Sequence, residues 1–175
     1  MAATTPNVGT RVFSDLTGTV ASIDARVTYT GMCLPAPDAD NSIEKHRPYA
    51  ISTSDSETIA LLGEGVAKDT ITQIASEGIN TDIIFVRADD DLDEEAQLTH
   101  IVGDAALKTG AWALLEAKSE LGIEPALAIS PGYTSQRPGD AANPVMTALD
   151  AISAKIIDCF ALGDTDGTTR EAAMQ

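Results

Sequence analysis

The chain has 175 residues, 43% of them apolar and 22% charged, which supports one folded domain, alone or with an arm, and argues against wholesale disorder. Eleven Lys and Arg against 27 Asp and Glu leave a formal net charge of −16, a field that repels nucleic-acid phosphate and anionic lipid. No apolar run approaches the length that spans a bilayer, and the opening MAATTPNVGT carries no basic-then-apolar signal, so neither membrane nor nucleic acid is an expected partner.

Residues 1–22 read as an extended N-terminal arm, small and polar, with one extended candidate at Arg11-Val12-Phe13 set off by Thr17-Gly18. Residues 23–175 read as an α/β core domain. Within 20–34, alternation around Ile23, Ala25, Val27 and Tyr29 predicts a strand entering the core. Ser54 or Asp55 caps a helix whose apolar face is Ile59, Leu61 and Leu62, with Glu57 in the first turn and Gly63 and Gly65 ending it. Asp69-Thr70 begin a second helix, with Ile71, Ile74 and Ala75 inward and Gly78 as its stop. Asp82–Arg87 is a continuous β-branched and aromatic run, the pattern of a strand buried on both faces.

Residues 89–95, DDDLDEE, place six acids in seven positions and predict a solvated loop or a helix start. A short helix over Ala96–Gly103 and a longer one over Ala111–Leu121 follow, the second closed by Gly122. Ala126–Ile129 is the next strand. Pro144 fits the first turn of a helix running through Val145, Leu149 and Ile152, and Ile156–Leu162 forms the last strand. Strands alternating with helices predict an α/β fold, a mainly parallel sheet with helices on both faces, behind the extended arm.

Residues able to do chemistry are sparse. His46, in the charged loop Glu44–Arg47, and His100 read as ordinary surface residues, and neither accompanies a G-x-S-x-G elbow. Ser130 runs into Pro131-Gly132 with no base nearby in sequence. Gly63-Glu64-Gly65 lacks the spacing of a phosphate loop and reads as a turn between helices. Asp38–Asn41 and Gly163–Gly167 offer oxygen ligands but lack the terminal bidentate Glu of a calcium loop. Cys33 and Cys159 fit no metal or redox motif and read as small buried hydrophobes, with a disulfide as the alternative. No catalytic residue, cofactor or metal is expected.

Residues 109–138, TGAWALLEAKSELGIEPALAISPGYTSQRP, read as a helix, a Gly turn, a buried strand and a Pro/Gly loop. This unit resembles the central domain of contractile tail sheath proteins of phages, R-type pyocins and related injection machines, in which a helix ending "LLxAxSxLGxxP" leads into a strand ending "APG". The family's "IGLVGTAPDAD"-like segment has its counterpart in Thr30–Asp40, and its "P-x-x-I-x-S"-like run in Pro48–Thr53. The resemblance covers about residues 9–175 here, the first part of a typical family member. The chain stops in Thr168–Gln175, which reads as a capped helix just begun, so a piece of a longer protein, or an unusually short version of one, is expected.

The resemblance implies a structural subunit with no enzymatic activity. Its partners would be its own copies in a helical homo-oligomer, the tail tube protein, and the baseplate and tail terminator proteins. Its place would be the virion tail, assembled in the host cytoplasm. It also implies that the arm adds a strand to a neighbouring subunit's sheet. A subunit of this charge repels its copies unless Arg11, Arg26, Arg47, Arg87 and Arg137 face acids across interfaces, the acidic candidates being Asp89, Asp90, Asp91, Asp93, Glu94 and Glu95. Two other readings stay open: a small-ligand-binding α/β enzyme domain with its site in the loops after Val86, Ile129 and Leu162, and a non-contractile baseplate or capsid-associated relative.

Overall fold

A computed structural model describes residues 28–164, so the candidate arm segment Arg11-Val12-Phe13 and the stretch after Asp164 lie outside the described residues. Five strands form one sheet: β1 (Tyr29–Pro35), β2 (Pro48–Ser52), β3 (Asp82–Ala88), β4 (Pro125–Ile129) and β5 (Phe160–Ala161), in the order β2-β3-β1-β4-β5. β1 pairs in parallel with both β3 and β4, and β4 in parallel with β5, while β2 runs antiparallel at the β3 edge. The predicted α/β class and mainly parallel sheet are therefore present. β2, a segment to which the sequence assigns no element, supplies the one antiparallel pair among the described residues.

The alternation of side chains along β1 and β3 separates two cores. Met32, Leu34, Ile83 and Phe85 face one side, where α1 (Ser56–Ala60), α2 (Val66–Ser76) and the turn between them bring Ile59, Leu62, Ala67 and Ile71. Cys33, Ile84 and Val86 face the other. There they meet Leu98 and Ile101 of α3 (Glu94–Val102), Ala117 of α4 (Ala117–Leu121), and Val145, Leu149 and Ile152 of α5 (Pro144–Ser153). Each of the Ile, Leu, Val, Met and Phe side chains among these contributes about 1.5–3 kcal/mol on leaving water, which is why a run such as Ile83–Val86 must be an interior strand.

The helix starts follow their capping chemistry. Asp55 accepts from the amides of Glu57 and Thr58, Asp93 from Ala96, and Asn143 from Met146 ahead of Pro144. The second helix begins at Val66 behind Gly65, earlier than Asp69, which lies in its first turn. Leu61 ends α1 exposed, so the inward pair is Ile59 and Leu62.

Two elements depart from expectation. Residues 111–121 do not form one α-helix: Gly110–Glu116 winds as a 3-10 helix, and only Ala117–Leu121 is α, closed by Gly122 in the left-handed conformation. The start of this segment is pinned where Gly103 crosses the Thr109–Gly110 backbone so closely that a Cβ on Gly103 would lie 2.1 Å from the Thr109 oxygen. Seven residues span about 14 Å as a 3-10 helix against about 10.5 Å as an α-helix, and the longer form bridges from that crossing to the buried Ala117. The predicted strand over Ile156–Leu162 shrinks to Phe160–Ala161. Lys155 and Ile156 still donate to Ile152 and Ser153 as α5 unwinds, and Asp158 turns the chain at φ 58.

Candidate functional site

The sequence-predicted charges divide between two places at the carboxyl end of the parallel strands. Asp93, Glu94 and Glu95, at the start of α3, line a cavity of about 450 Å³ together with Leu98, Gln136, Arg137 and Pro138. α3 presents these acids because Asp93 is its N-cap and Glu94 and Glu95 occupy its first turn, where negative charge is favoured by the helix dipole. Arg137 comes from the loop after β4, so the structure joins it to the acidic run across 42 to 44 positions of sequence, the separation from Glu95 and Asp93 respectively. Gln136 also lines this wall. Its amide nitrogen donates to the Gly132 carbonyl at 2.7 Å, and its oxygen is buried without a hydrogen-bond partner.

Arg137 stands apart electrostatically. Lys45, Lys68, Lys108 and Lys118 pair with Asp89, Glu64, Glu116 and Glu124, and Arg47 pairs with both Glu44 and Glu120. Arg87 donates to the carbonyls of Pro37 and Ile43, and Lys155 sits 4.8 Å from the centre of the Trp112 ring. Among the described residues, Arg137 is the Lys or Arg with no such bond, and it is exposed. Arg47 and Arg87, also candidates for contacts between copies, are both bonded within the chain. Arg11 and Arg26 lie outside the described residues.

Asp89, Asp90 and Asp91 do not line the cavity. Asp89 bonds Lys45 and, at 3.0 Å, Nε2 of His46; chiefly the Lys45 hydrogen bond holds its carboxyl below the usual range. Asp91 is lowered mainly by accepting the Asp93 amide, and it lies 3.5 Å from Nε2 of His100. Asp90 is exposed. The buried Gln97 fastens this run by donating to the Asp89 carbonyl at 2.9 Å and accepting the Asp91 amide at 2.7 Å. Sequence reading passes over Gln97; its one signal is a polar residue at an inward position of α3, next to Leu98.

His46 is not the ordinary surface residue expected. Its Nδ1 accepts the Gly110 amide at 3.1 Å, which leaves Nε2 to donate to Asp89. Both ring nitrogens are thus occupied, and the ring has no lone pair free to take a proton from a serine. Ser130 is buried, and its hydroxyl has no hydrogen-bond partner.

The loops after β4 and β5 are stitched to each other. Asp164 accepts the Gly132 amide at 2.8 Å and gives its own amide to Thr134 at 2.7 Å. Asn143 donates to the carbonyls of Tyr133 and Gln136. Asp40 accepts the Ser42 amide, as a turn aspartate does, and its carboxyl is lowered by that bond. Gly63–Gly65 joins α1 to α2, as the turn reading expects. Among the described residues no three His, Cys, Asp or Glu side chains converge to hold a metal ion, and no helix is long and apolar enough to cross a membrane. Cys33 and Cys159 are free thiols, the first buried and the second half-buried.

The sheet's outer edge is the second candidate surface. β5 contributes two residues beyond β4, and Ile157, Phe160 and Leu162 around it are 83%, 70% and 56% exposed. A short strand with large apolar side chains in solvent is a place where another chain can add.

No protein-family model matches this chain, and no curated protein matches it.

Proposed function

We propose that this chain is a structural subunit of a contractile tail sheath, polymerising around an inner tube and contracting to drive that tube through a target envelope. The observation that carries the reading is the β5 edge, where Ile157, Phe160 and Leu162 are exposed and, among the described residues, no further strand pairs beyond β5. An isolated subunit gains nothing from that arrangement; a polymer buries it at every repeat. The reading is supported by the placement of two of the three segments that carry the resemblance, Thr30–Asp40 and residues 109–138. They form the paired strands β1 and β4, and Gly31 sits so close to Pro125 and Leu114 that a Cβ there would lie 2.9 Å and 3.0 Å from them.

In this account the α/β body is rigid, and work is done by interfaces with two packings, extended and contracted. Strand addition by a neighbour at β5 tethers the copies, with the N-terminal arm as donor. Arg137, beside Asp93, Glu94 and Glu95, is a second contact, meeting acids of the next copy. The tube, the baseplate and the terminator are the remaining partners.

Light scattering and sedimentation of the purified chain test this against a Phe160→Asp variant across a salt series. Large assemblies that salt promotes by screening self-repulsion, and that the variant loses while remaining folded, are the expected result. Monomers in both proteins at every salt concentration would end the proposal.

A ligand-binding α/β domain is the second reading, favoured by the 450 Å³ cavity beyond the carboxyl ends of β3 and β4, where open parallel sheets bind ligands. Its walls are acidic, so its ligand would carry positive charge.

A further inference from the structure

We propose that His46 is an acid-released cap on the 3-10 helix Gly110–Glu116. The first amide of a helix has no partner inside it and needs an acceptor from elsewhere. Thr109, at the N-cap position, provides no side-chain bond to the helix, because its hydroxyl accepts the Asp104 amide instead. The acceptor comes from 64 positions away: Nδ1 of His46, 3.1 Å from the Gly110 nitrogen. The backbone is committed to this. His46 adopts φ 59, a left-handed conformation that costs a non-glycine residue energy, and its own amide donates to the Arg87 carbonyl at 2.9 Å.

A cap made of a ring nitrogen differs from one made of a hydroxyl or an amide, because an imidazole nitrogen can take up a proton and so lose its acceptor lone pair. A proton on Nδ1 turns the acceptor into a donor facing the Gly110 N–H, and it sets positive charge at the positive end of a helix. The other ring nitrogen is unaffected: Nε2–H donates to Asp89 in either state and gains an ion pair when the ring is charged. Protonation therefore breaks one bond and keeps the other. The ring stays on the end of β3 and releases the start of the 3-10 helix.

The charged groups around the ring are few. The Asp89 carboxylate lies 3.0 Å from Nε2, and Lys45 is bonded to that same carboxylate. Arg47, the next residue along, is neutralised by Glu44 and Glu120, and Lys108, two positions before Gly110, by Glu116. The device needs nothing from a polymer and stands apart from the proposed function.

Trp112, the chain's one tryptophan, lies two residues into the helix and reports on it. The test follows Trp112 emission and the Gly110 amide resonance of the whole chain between about pH 8 and about pH 5, the range in which imidazole titrates. Both signals are expected to move along one curve, the Gly110 proton shifting upfield as its bond is lost. His46→Asn tolerates the left-handed backbone and places an amide oxygen near the position of Nδ1, but it cannot be protonated, so it should hold Gly110 bonded at every pH. His46→Ala should show the released position throughout, and His100→Asn should titrate like the wild type. A Gly110 amide unmoved in the wild type, or still titrating in His46→Asn, overturns the proposal. The Asn variant decides the matter if the Ala variant does not fold.

Discussion

Gly103→Ala tests whether the backbone crossing at Thr109 shapes the segment that follows it. Gly103 sits at φ 68, ψ −157, a region reserved for glycine. An added methyl would also lie 2.1 Å from the Thr109 oxygen and 2.4 Å from its carbonyl carbon, atoms that cannot move without displacing Gly110. The backbone strain costs about 1–3 kcal/mol. The overlap adds about 1–3 kcal/mol, and a stiffer unfolded chain returns about 0.4–1 kcal/mol. The net loss is about 1–6 kcal/mol, against a domain's total of about 5–15 kcal/mol. Gly122→Ala is the matched control: φ is 74 there, but nothing lies within 4 Å of the new methyl, so strain alone remains, at about 1 kcal/mol. Urea unfolding followed by Trp112 emission reads both. With a slope of about 2 kcal/mol per molar, a 3 kcal/mol loss moves the midpoint by about 1.5 M. A Gly103→Ala midpoint equal to or above that of Gly122→Ala would refute the crossing as the controlling contact.

Gln97→Leu should lower stability by about 1–3 kcal/mol by stranding the Asp89 carbonyl and the Asp91 amide, measured by the same urea titration. Burial pushes the Cys33 thiol well above its usual range, and that of Cys159 less so, so a thiol reagent should label Cys159 in the native chain and reach Cys33 only on unfolding. The Asp89 carboxyl is depressed in the folded state, so its contribution is present above the ordinary aspartate range near pH 3.9 and is lost as pH falls through the lower folded value. Asp89→Asn should therefore make the acid limb of the stability curve below about pH 4 shallower by that one share, leaving the shares of Asp40, Asp55 and Asp91, whose carboxyls are also lowered.

β3 is legible in the sequence because Ile83–Val86 can satisfy its apolar faces only between two layers, and the structure places it next to the central strand. Asp55 and Pro144 are legible because cap chemistry is local, decided within three residues. The 3-10 winding of Gly110–Glu116 is not. Its residues are good α-helix formers, and what overrides them is a glycine seven positions earlier together with a histidine 64 positions away. For the same reason His46 reads as a surface residue: its partners Asp89 and Gly110 arrive only with the fold. The acidic run is visible as composition, but its division is not. Asp89 turns toward Lys45, whereas Asp93, Glu94 and Glu95 meet Arg137 across the cavity, because α3 starts at Asp93 and rotates the later acids away. β2 escapes because five residues beginning with Pro48 are too few for a period to show.

Electron microscopy of the purified chain at moderate salt tests the central claim most directly. The account predicts tubular polymers of regular width, in which a helical reconstruction places the β5 edge, with Ile157, Phe160 and Leu162, against a neighbouring copy. Fields of single globular particles, or tubes in which that edge faces solvent, would contradict it.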